Sequence, residues 1–390
     1  MAAGDRTYDV VLFGATGFTG GLTAEYLAEH APADLRWAIA GRSETKLAAV
    51  RDRLGVDVPT LVADVSDAAA LADVVGRTKV VATTVGPYLQ YGAPLVAACA
   101  EAGTDYCDLT GEPEFVDRTY LEQNAVAERS GARIVHACGF DSIPHDLGAY
   151  YTIQQLAKKL GGEITAPVKM RGIVRSNATF SGGTFHSALG AFSRAKQMRE
   201  AMVARRRMEP RPEGRTSRAV AGKPSRDGDL GYWLLPLPTI DPFVVARSGA
   251  ALPEYGPEFA YTHYAGVKTL RYAVGGSVGA GALALAAQVP PIREQLKKRV
   301  PQGSGPSVGR REKSWFTVDF VAESGGTTVR TRVSGGDPGY TETAKMLAES
   351  AICLAVDDNP KTAGQVTTAQ AMGDALLARL QAVGITFETR

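Results

Sequence analysis

Three sets of residues in this chain have types and spacing that could do chemistry. The first is Gly14-Ala15-Thr16-Gly17-Phe18-Thr19-Gly20, which follows the apolar run Val10-Val11-Leu12-Phe13 and precedes an amphipathic segment. Gly14 permits a tight turn, Gly17 lets the backbone approach a pyrophosphate, and Gly20 lets a helix pack close to a strand. Bare amides at a helix start favour an anion. The spacing is G-x-x-G-x-x-G, not the more familiar G-x-G-x-x-G, and a plain βα turn would also use it. Its position at the first strand, with more strand-helix units behind it, favours a dinucleotide site. The second set is Arg42, Ser43 and Lys46. An NAD site usually places an acid at this point, to bind the ribose 2′-hydroxyl. Here a guanidinium, a hydroxyl and an ammonium are suited to a 2′-phosphate, so NADP(H) is expected. The competing explanation is an N-cap serine beside a surface arginine.

The third set is polar and sits where later apolar runs end. Asp64 could accept from the adenine amino group or could make a turn, with Ser66 as a plain N-cap. Val85-Gly86-Pro87 stops a strand where ribose and nicotinamide should pass, and Tyr88 would then be a proton donor or an aromatic lid. Asp108 and Glu112 would be an acid, an anchor, or exposed loop carboxylates. Gly139-Phe140-Asp141 opens a loop on which substrate would meet cofactor, and Ser142 or Asp141 could cap the helix beginning near Pro144. His145 is the residue there able to supply a proton near neutral pH.

These residues need a scaffold. Apolar runs at 8–13, 35–40, 58–63, 79–85, 104–109 and 132–138 alternate with helical patterns at 18–30, 44–54, 66–76, 91–102 and 114–130. Such alternation predicts a parallel sheet with right-handed crossovers and ligands at the carboxyl ends of the strands. The fold class is α/β: a Rossmann-type domain over 1–146, an α+β domain with a mostly antiparallel sheet over 147–335, and helices over 336–390 that pack back on the first domain. The motifs GATGFTG, AGRS, TTVGPYLQYG, GTDYCDLTGE and CGFDSIPHDLG, in that order, resemble the saccharopine dehydrogenase-like oxidoreductases. With Ser181-Gly182-Gly183-Thr184, Gly336-Asp337-Pro338-Gly339-Tyr340 and the segment 371–377, the resemblance is nearest to the actinobacterial branch of trans-acting enoyl reductases. It implies a nicotinamide cofactor, a second domain over the active-site face, and reduction of an enoyl intermediate of polyketide-derived lipids.

The second half is less explicit. Ser181-Gly182-Gly183-Thr184 starts a helix with His186 in its first turn, a catalytic candidate beside Tyr88 and His145. From 194 to 226 eleven Lys and Arg face three Glu, a net charge of +8, in a stretch rich in Pro, Gly and Ser from 210 onward. This predicts a mobile basic loop that is either simply solvated or docks an acidic acyl carrier domain or anionic lipid head groups. Without interleaved aromatics or a binding motif, nucleic acid is not expected. The uncharged run 272–289, with Lys268 and Arg271 before it and Arg293, Lys297, Lys298 and Arg299 after it, is a buried or interfacial helix, a peripheral membrane contact, or a span. Tyr264-x-x-x-Lys268 falls too late to be a short-chain reductase pair. Trp315–Val321 and Thr327–Val333 alternate around Ser324-Gly325-Gly326, a hairpin.

At 390 residues, 45% apolar and net +2, the chain fits a globular enzyme, and a homodimer is among the expectations. Its four cysteines form no C-x-x-C pair and no metal-ligand spacing, and the N-terminus lacks a signal-peptide pattern. A reduced cytoplasmic protein without a metal is expected, with the inner face of the plasma membrane as a peripheral location. Two rivals stand beside enoyl reduction. Imine or ketone reduction of the saccharopine type would need cations such as Arg171 and Arg175 for substrate carboxylates. A membrane-associated nucleotide-binding protein without turnover is the other.

Overall fold

A computed structural model describes residues 6–178, 189–190, 193–299 and 305–390. The first six strands are β1 (Tyr8–Phe13), β2 (Trp37–Gly41), β3 (Thr60–Val62), β4 (Thr78–Thr83), β5 (Asp105–Asp108) and β6 (Arg133–Val135). The next seven are β7 (Val168–Ser176), β8 (Thr216–Ala219), β9 (Ser225–Asp227), β10 (Tyr232–Pro236), β11 (Glu258–Val267), β12 (Phe316–Ser324) and β13 (Thr327–Gly335). Two short strands close the chain, β14 (Gly364–Val366) and β15 (Thr386–Thr389).

The first sheet is parallel throughout, in the order β14-β6-β5-β4-β1-β2-β3. Val10, Val11 and Leu12 of β1 are wholly buried, as expected of a central strand covered by helices on both faces. The strand order reverses between β1 and β4, and a ligand crevice opens outside their carboxyl ends. The second sheet runs β15-β13-β12-β7-β11-β10-β9, mostly antiparallel, with β8 also paired to β11. The helix Ile143–Leu160 joins the two layers. It begins at the crevice and lies on β12 and β13, where a Cβ at Gly148 would sit 2.4 Å from the Phe320 ring. Only glycine allows that approach.

Several local expectations are corrected. The pattern over 91–102 is two helices, Tyr88–Tyr91 and Ala93–Ala102, divided at Gly92, where a Cβ would meet the Phe115 ring at 2.6 Å. The C-terminal segment is not only helical: β14 extends the first sheet and β15 the second, both too short to show as periodicity. The basic segment is less loop-like than its composition suggests, because β8 and β9 pair within the second sheet. Some of its cations are internal. Arg194 binds Glu114 through two hydrogen bonds of 2.6 and 2.8 Å, Arg205 is buried against Asp117 and Glu209, and Arg215 donates to the carbonyls of Leu252 and Ala250. Ser181 to His186 lie outside the described residues, so the helix start expected there does too. The apolar run forms the helix Leu270–Gln288, long and apolar enough to cross a membrane by length and composition, with little of it buried.

Candidate active site

The glycine turn has a shape that side chains would fill. Gly14 has φ +93°, and a Cβ there would lie 2.8 Å from Thr84 Oγ1 and Val85 Cγ2. At Gly20 a Cβ would lie 2.2 Å from the Gly14 carbonyl oxygen and 2.7 Å from Thr84 Oγ1. Gly20 therefore serves approach to the turn itself rather than to the strand. Thr84 donates to the Gly14 carbonyl (3.2 Å), which ties the end of β4 to the turn. The helix Phe18–His30 starts after Gly17 with no side-chain cap and no acid in its first turn. Its first amides and its dipole are left for an anion. Ala15, Thr16, Phe18 and Thr19 complete this turn.

Arg42 is exposed at the end of β2, and among the described residues no carboxylate forms an ion pair with it. Ser43 caps the next helix, accepting from the Lys46 amide at 3.4 Å, so its hydroxyl already has a structural use. Lys46 is exposed one turn on. Asp64 takes the turn role: its Oδ1 accepts from the amide and hydroxyl of Ser66 at 2.9 and 2.6 Å. Those hydrogen bonds hold its carboxyl below the ordinary range, with Arg42 adding to the effect. The cap of the following helix is Asp67, not Ser66. The cradle thus fits a phosphorylated dinucleotide: close backbone approach, uncapped amides, and at the ribose end a cation with no ion-pair partner among the described residues.

The end of β4 is held by residues once candidates for chemistry. Tyr88 is buried, donates its hydroxyl to the Thr83 carbonyl and accepts from the Leu109 amide, both at 3.1 Å. Burial, then the Asp108 charge, keeps this phenol protonated. Its hydrogen-bonding capacity is used within the loop, which corrects the expectation of a catalytic Tyr88. Glu112 accepts from the amides of Tyr88 and Leu89 at 3.1 and 3.0 Å and fixes the turn Val85-Gly86-Pro87. Asp108 is an anchor: it lies 2.7 Å from His136 Nδ1 and accepts from Tyr106 and from the amides of Thr110 and Ala137. Ala137 is held at φ 60°, a costly conformation for a residue with a Cβ.

Immediately after it, Gly139-Phe140-Asp141 leads into the helix Ile143–Leu160. Phe140 donates its amide to Thr343 at 3.1 Å. Ser142 occupies the N-cap position, but its hydroxyl donates to the Asp141 carbonyl instead of accepting from the helix. Among the described residues no donor reaches the Asp141 carboxylate, which is partly exposed. Burial by its surroundings, then the charge of Asp241, push that carboxyl up to about 6, with His145 opposing. Asp146, one residue past His145, is structural: it accepts from Ser248, Thr368 and the Ala369 amide, joining three helices.

His145 is not at an open surface. It is 1% exposed and sits with Asp241 (3%) and His263 (4%), which the sequence did not single out. Asp241 is in the first turn of the helix Asp241–Ala251, and His263 faces the same side of β11 as Tyr261. His145 Nδ1 is 3.0 Å from Asp241 Oδ1, and His263 Nε2 is 3.6 Å from Asp241 Oδ2. Burial opposes the Asp241 charge, yet His145 and then His263 hold its carboxyl below the ordinary range. Burial pulls His263 down to about 3, against the charge of Asp241, so its imidazole is neutral. One nitrogen from each histidine and a carboxylate oxygen all lie within 4.8 Å of one another, a set able to hold a metal ion. No spacing motif could reveal it, because its members come from three separate elements. The one sequence signal is the Thr239-Ile240-Asp241-Pro242 helix start.

A parallel sheet in this order, a glycine cradle at its switch point and a basic adenosine-ribose end define an oxidoreductase that uses a nicotinamide nucleotide. Residues 10–135 match the saccharopine dehydrogenase NADP-binding domain, and the cofactor is NADP(H). A Mycobacterium tuberculosis protein named trans-acting enoyl reductase is 36% identical over 424 residues, covering 100% of this chain and 99% of its own. A second M. tuberculosis protein, whose name gives the same activity provisionally, is 39% identical over 421 residues at the same coverage. The saccharopine dehydrogenase (L-Glu forming) of Saccharomyces cerevisiae shares the fold, with a TM-score of 0.57 at 15% identity, over 98% of this chain and 99% of that one. The chain belongs to the trans-acting enoyl reductase family of saccharopine dehydrogenase-like oxidoreductases.

Proposed function

We propose that the protein is an NADPH-dependent enoyl reductase that acts in trans on an α,β-unsaturated acyl thioester made during polyketide-derived lipid synthesis. The observation that carries this is a glycine cradle at the carboxyl ends of the parallel strands, the same sheet edge from which the Asp141–His145 segment leaves β6, in a chain that aligns end to end with relatives named for that activity. When bound, NADPH supplies the hydride that goes to the β-carbon. The α-carbon needs a proton, and the enolate oxygen needs an electrophilic partner. We assign that side of the reaction to Asp141 and the His145 cluster, since Tyr88 is fully used and His186 lies outside the described residues. Imine reduction is disfavoured because its candidate cations are engaged: Arg171 with Asp227 at 2.9 Å, and Arg175 with the Tyr232 hydroxyl at 2.6 Å and ring at 4.1 Å. The test follows NADPH oxidation with enoyl, keto and imine substrates. Turnover of enoyl thioesters alone, lowered by Asp141→Asn without loss of NADPH affinity, is expected. Tight NADPH binding with no enoyl turnover would remove this assignment.

Two partner proposals rest on exposed surfaces. Arg199, Arg206, Arg207 and Arg211 remain exposed and fit an acidic carrier domain. Arg206→Glu with Arg207→Glu should then raise KM for carrier-bound substrate but not for a small thioester. On the helix Leu270–Gln288, Tyr272 is 72% and Leu285 74% exposed, with Lys268 and Arg271 beside its start. This favours contact with an anionic membrane at the cytoplasmic face, measured as co-sedimentation with anionic vesicles that replacement of 272–289 abolishes.

A further inference from the structure

His145, Asp241 and His263 converge in the interior, with both histidines in ion-pair range of the carboxylate. The contact of 3.0 Å between His145 Nδ1 and Asp241 Oδ1 lacks hydrogen-bond alignment, and both nitrogens of His145, Asp241 Oδ1 and His263 Nε2 are buried without an aligned hydrogen-bond partner among the described residues. A buried polar atom left unpaired is costly, and a buried carboxylate more so. One nitrogen of each histidine and one Asp241 oxygen lie within 4.8 Å of one another, so a single partner between them would satisfy three of the four, while the second nitrogen of His145 faces away. A hydrogen-bonded relay would instead point each N–H at its acceptor.

The chemistry of the set narrows that partner. Two imidazoles and one carboxylate are ligands that suit zinc and its neighbours among the divalent transition metals. Tetrahedral bonds of about 2.0–2.1 Å place donor atoms roughly 3.3 Å apart. His145 Nδ1 stands 3.0 Å from Asp241 Oδ1 and His263 Nε2 3.6 Å from Asp241 Oδ2, distances to the two carboxylate oxygens that bracket that spacing. The outer contacts also fit. Tyr261 Oη lies 3.0 Å from His263 Nδ1, and in the tautomer in which Nδ1 donates to the phenol oxygen the Nε2 lone pair faces Asp241. In that tautomer a lone pair and a carboxylate face each other in the interior, an arrangement that a cation stabilises. Thr239 donates its hydroxyl to Asp241 Oδ2. Phe140 packs edge-on against His145 with ring centroids 5.4 Å apart, and Phe316 packs on Phe140 at 5.0 Å, an apolar wall on one side of the cluster.

We propose that His145, Asp241 and His263 bind one divalent transition-metal ion, with Zn²⁺ the best fit. Three protein ligands are the count of zinc sites that keep a coordination position open, whereas structural sites are closed by four. Resting on the enoyl reductase assignment, the open position would take the thioester oxygen and stabilise the enolate as a Lewis acid. The ion also ties together the start of the helix Ile143–Leu160, the start of the helix Asp241–Ala251, and β11.

The test uses the untagged full-length chain, stripped with a chelator and titrated with Co²⁺ and then Zn²⁺. One Co²⁺ per chain with visible d–d bands, displaced by Zn²⁺, is expected. His263→Asn and Asp241→Asn should abolish the bands. Tyr261→Phe, which removes only the hydroxyl beside His263, should weaken the ion about 10–100-fold. NADPH binding, read by nicotinamide fluorescence, reports folding in each variant, because the nucleotide cradle lies at other elements. Absence of a stoichiometric ion in the native chain would overturn the proposal in favour of a trapped water. Binding that persists undiminished in both ligand variants would overturn it as well. Stoichiometric Co²⁺ binding in a chain that turns over no enoyl thioester supports the metal site and removes the enoyl assignment instead.

Discussion

Replacing Arg42 by alanine tests the cofactor assignment at the one atom group that distinguishes NADPH from NADH. The guanidinium is exposed at the end of β2 and no described carboxylate forms an ion pair with it, although Asp64 feels its charge, so it is available to a 2′-phosphate. A hydrogen bond to a charged group contributes about 1.5–3 kcal/mol. Exposure and salt screening put this contact towards the low end. About 1.4–2 kcal/mol corresponds to a 10–30-fold rise in the NADPH dissociation constant. NADH has no group at that position, so its affinity should change by less than about 2-fold. Fluorescence titration of both nucleotides, at low and moderate salt, measures this directly. The preference for NADPH should shrink in Arg42→Ala, and the loss should be greater at low salt. Equal weakening of both nucleotides would mean that Arg42 holds the loop rather than the phosphate. No weakening of NADPH would place the 2′-phosphate elsewhere.

Other outcomes follow from the same geometry. Gly20→Ala would place a Cβ 2.2 Å from the Gly14 carbonyl oxygen, so stability should fall by about 1–3 kcal/mol and the NADPH-induced rise in Tm should vanish. Arg205→Ala leaves Asp117 buried without its partner and should cost about 3–5 kcal/mol in chemical denaturation. Tyr88→Phe should lower stability by about 1–3 kcal/mol with kcat nearly unchanged, and a collapse of kcat at constant Tm would return Tyr88 to the chemistry. Burial opposes the charge of Asp9, yet Arg36 and Lys79 hold its carboxyl well below the ordinary range. Its stabilisation is therefore present above the unfolded value of about 3.9 and lost as pH falls below it, so Asp9→Asn should flatten the fall of Tm in acid.

The nucleotide half of the molecule is legible in sequence because its determinants are local. A buried parallel strand reads as a run of Val and Leu, and the glycine turn and Arg42 follow their strands within a few residues. Where the sequence offers two roles, the outcome depends on partners that lie far along the chain. Glu112 and Tyr88 share one loop although they are 24 residues apart, and nothing in either segment shows that the carboxylate is needed by those amides. The same limit applies to the basic segment. Its charge is plain, but Glu114 and Asp117, which take Arg194 and Arg205, precede them by 80 and 88 residues. A hint was present: two acids on a face of the helix Pro113–Ser130 that otherwise buries Phe115, Val116 and Tyr120. A buried acid needs a cation, and the +8 segment is the nearest reservoir of them.

That reasoning extends to the cluster behind the crevice. A histidine in a helix start, an aspartate before a proline and a histidine in an alternating strand each have an ordinary structural explanation when taken one at a time. Their chemistry exists only once the helix Ile143–Leu160, the helix Asp241–Ala251 and β11 meet. Hydrophobic burial and backbone pairing drive that meeting; nothing in them rewards bringing two imidazoles and a carboxylate together with four atoms unpaired. A fold that keeps such a cost in its interior is explained by a ligand that repays it, as the metal proposal holds. The nucleotide turn takes its shape from local glycines alone, whereas the proposed metal site takes its ligands from three elements far apart in the chain.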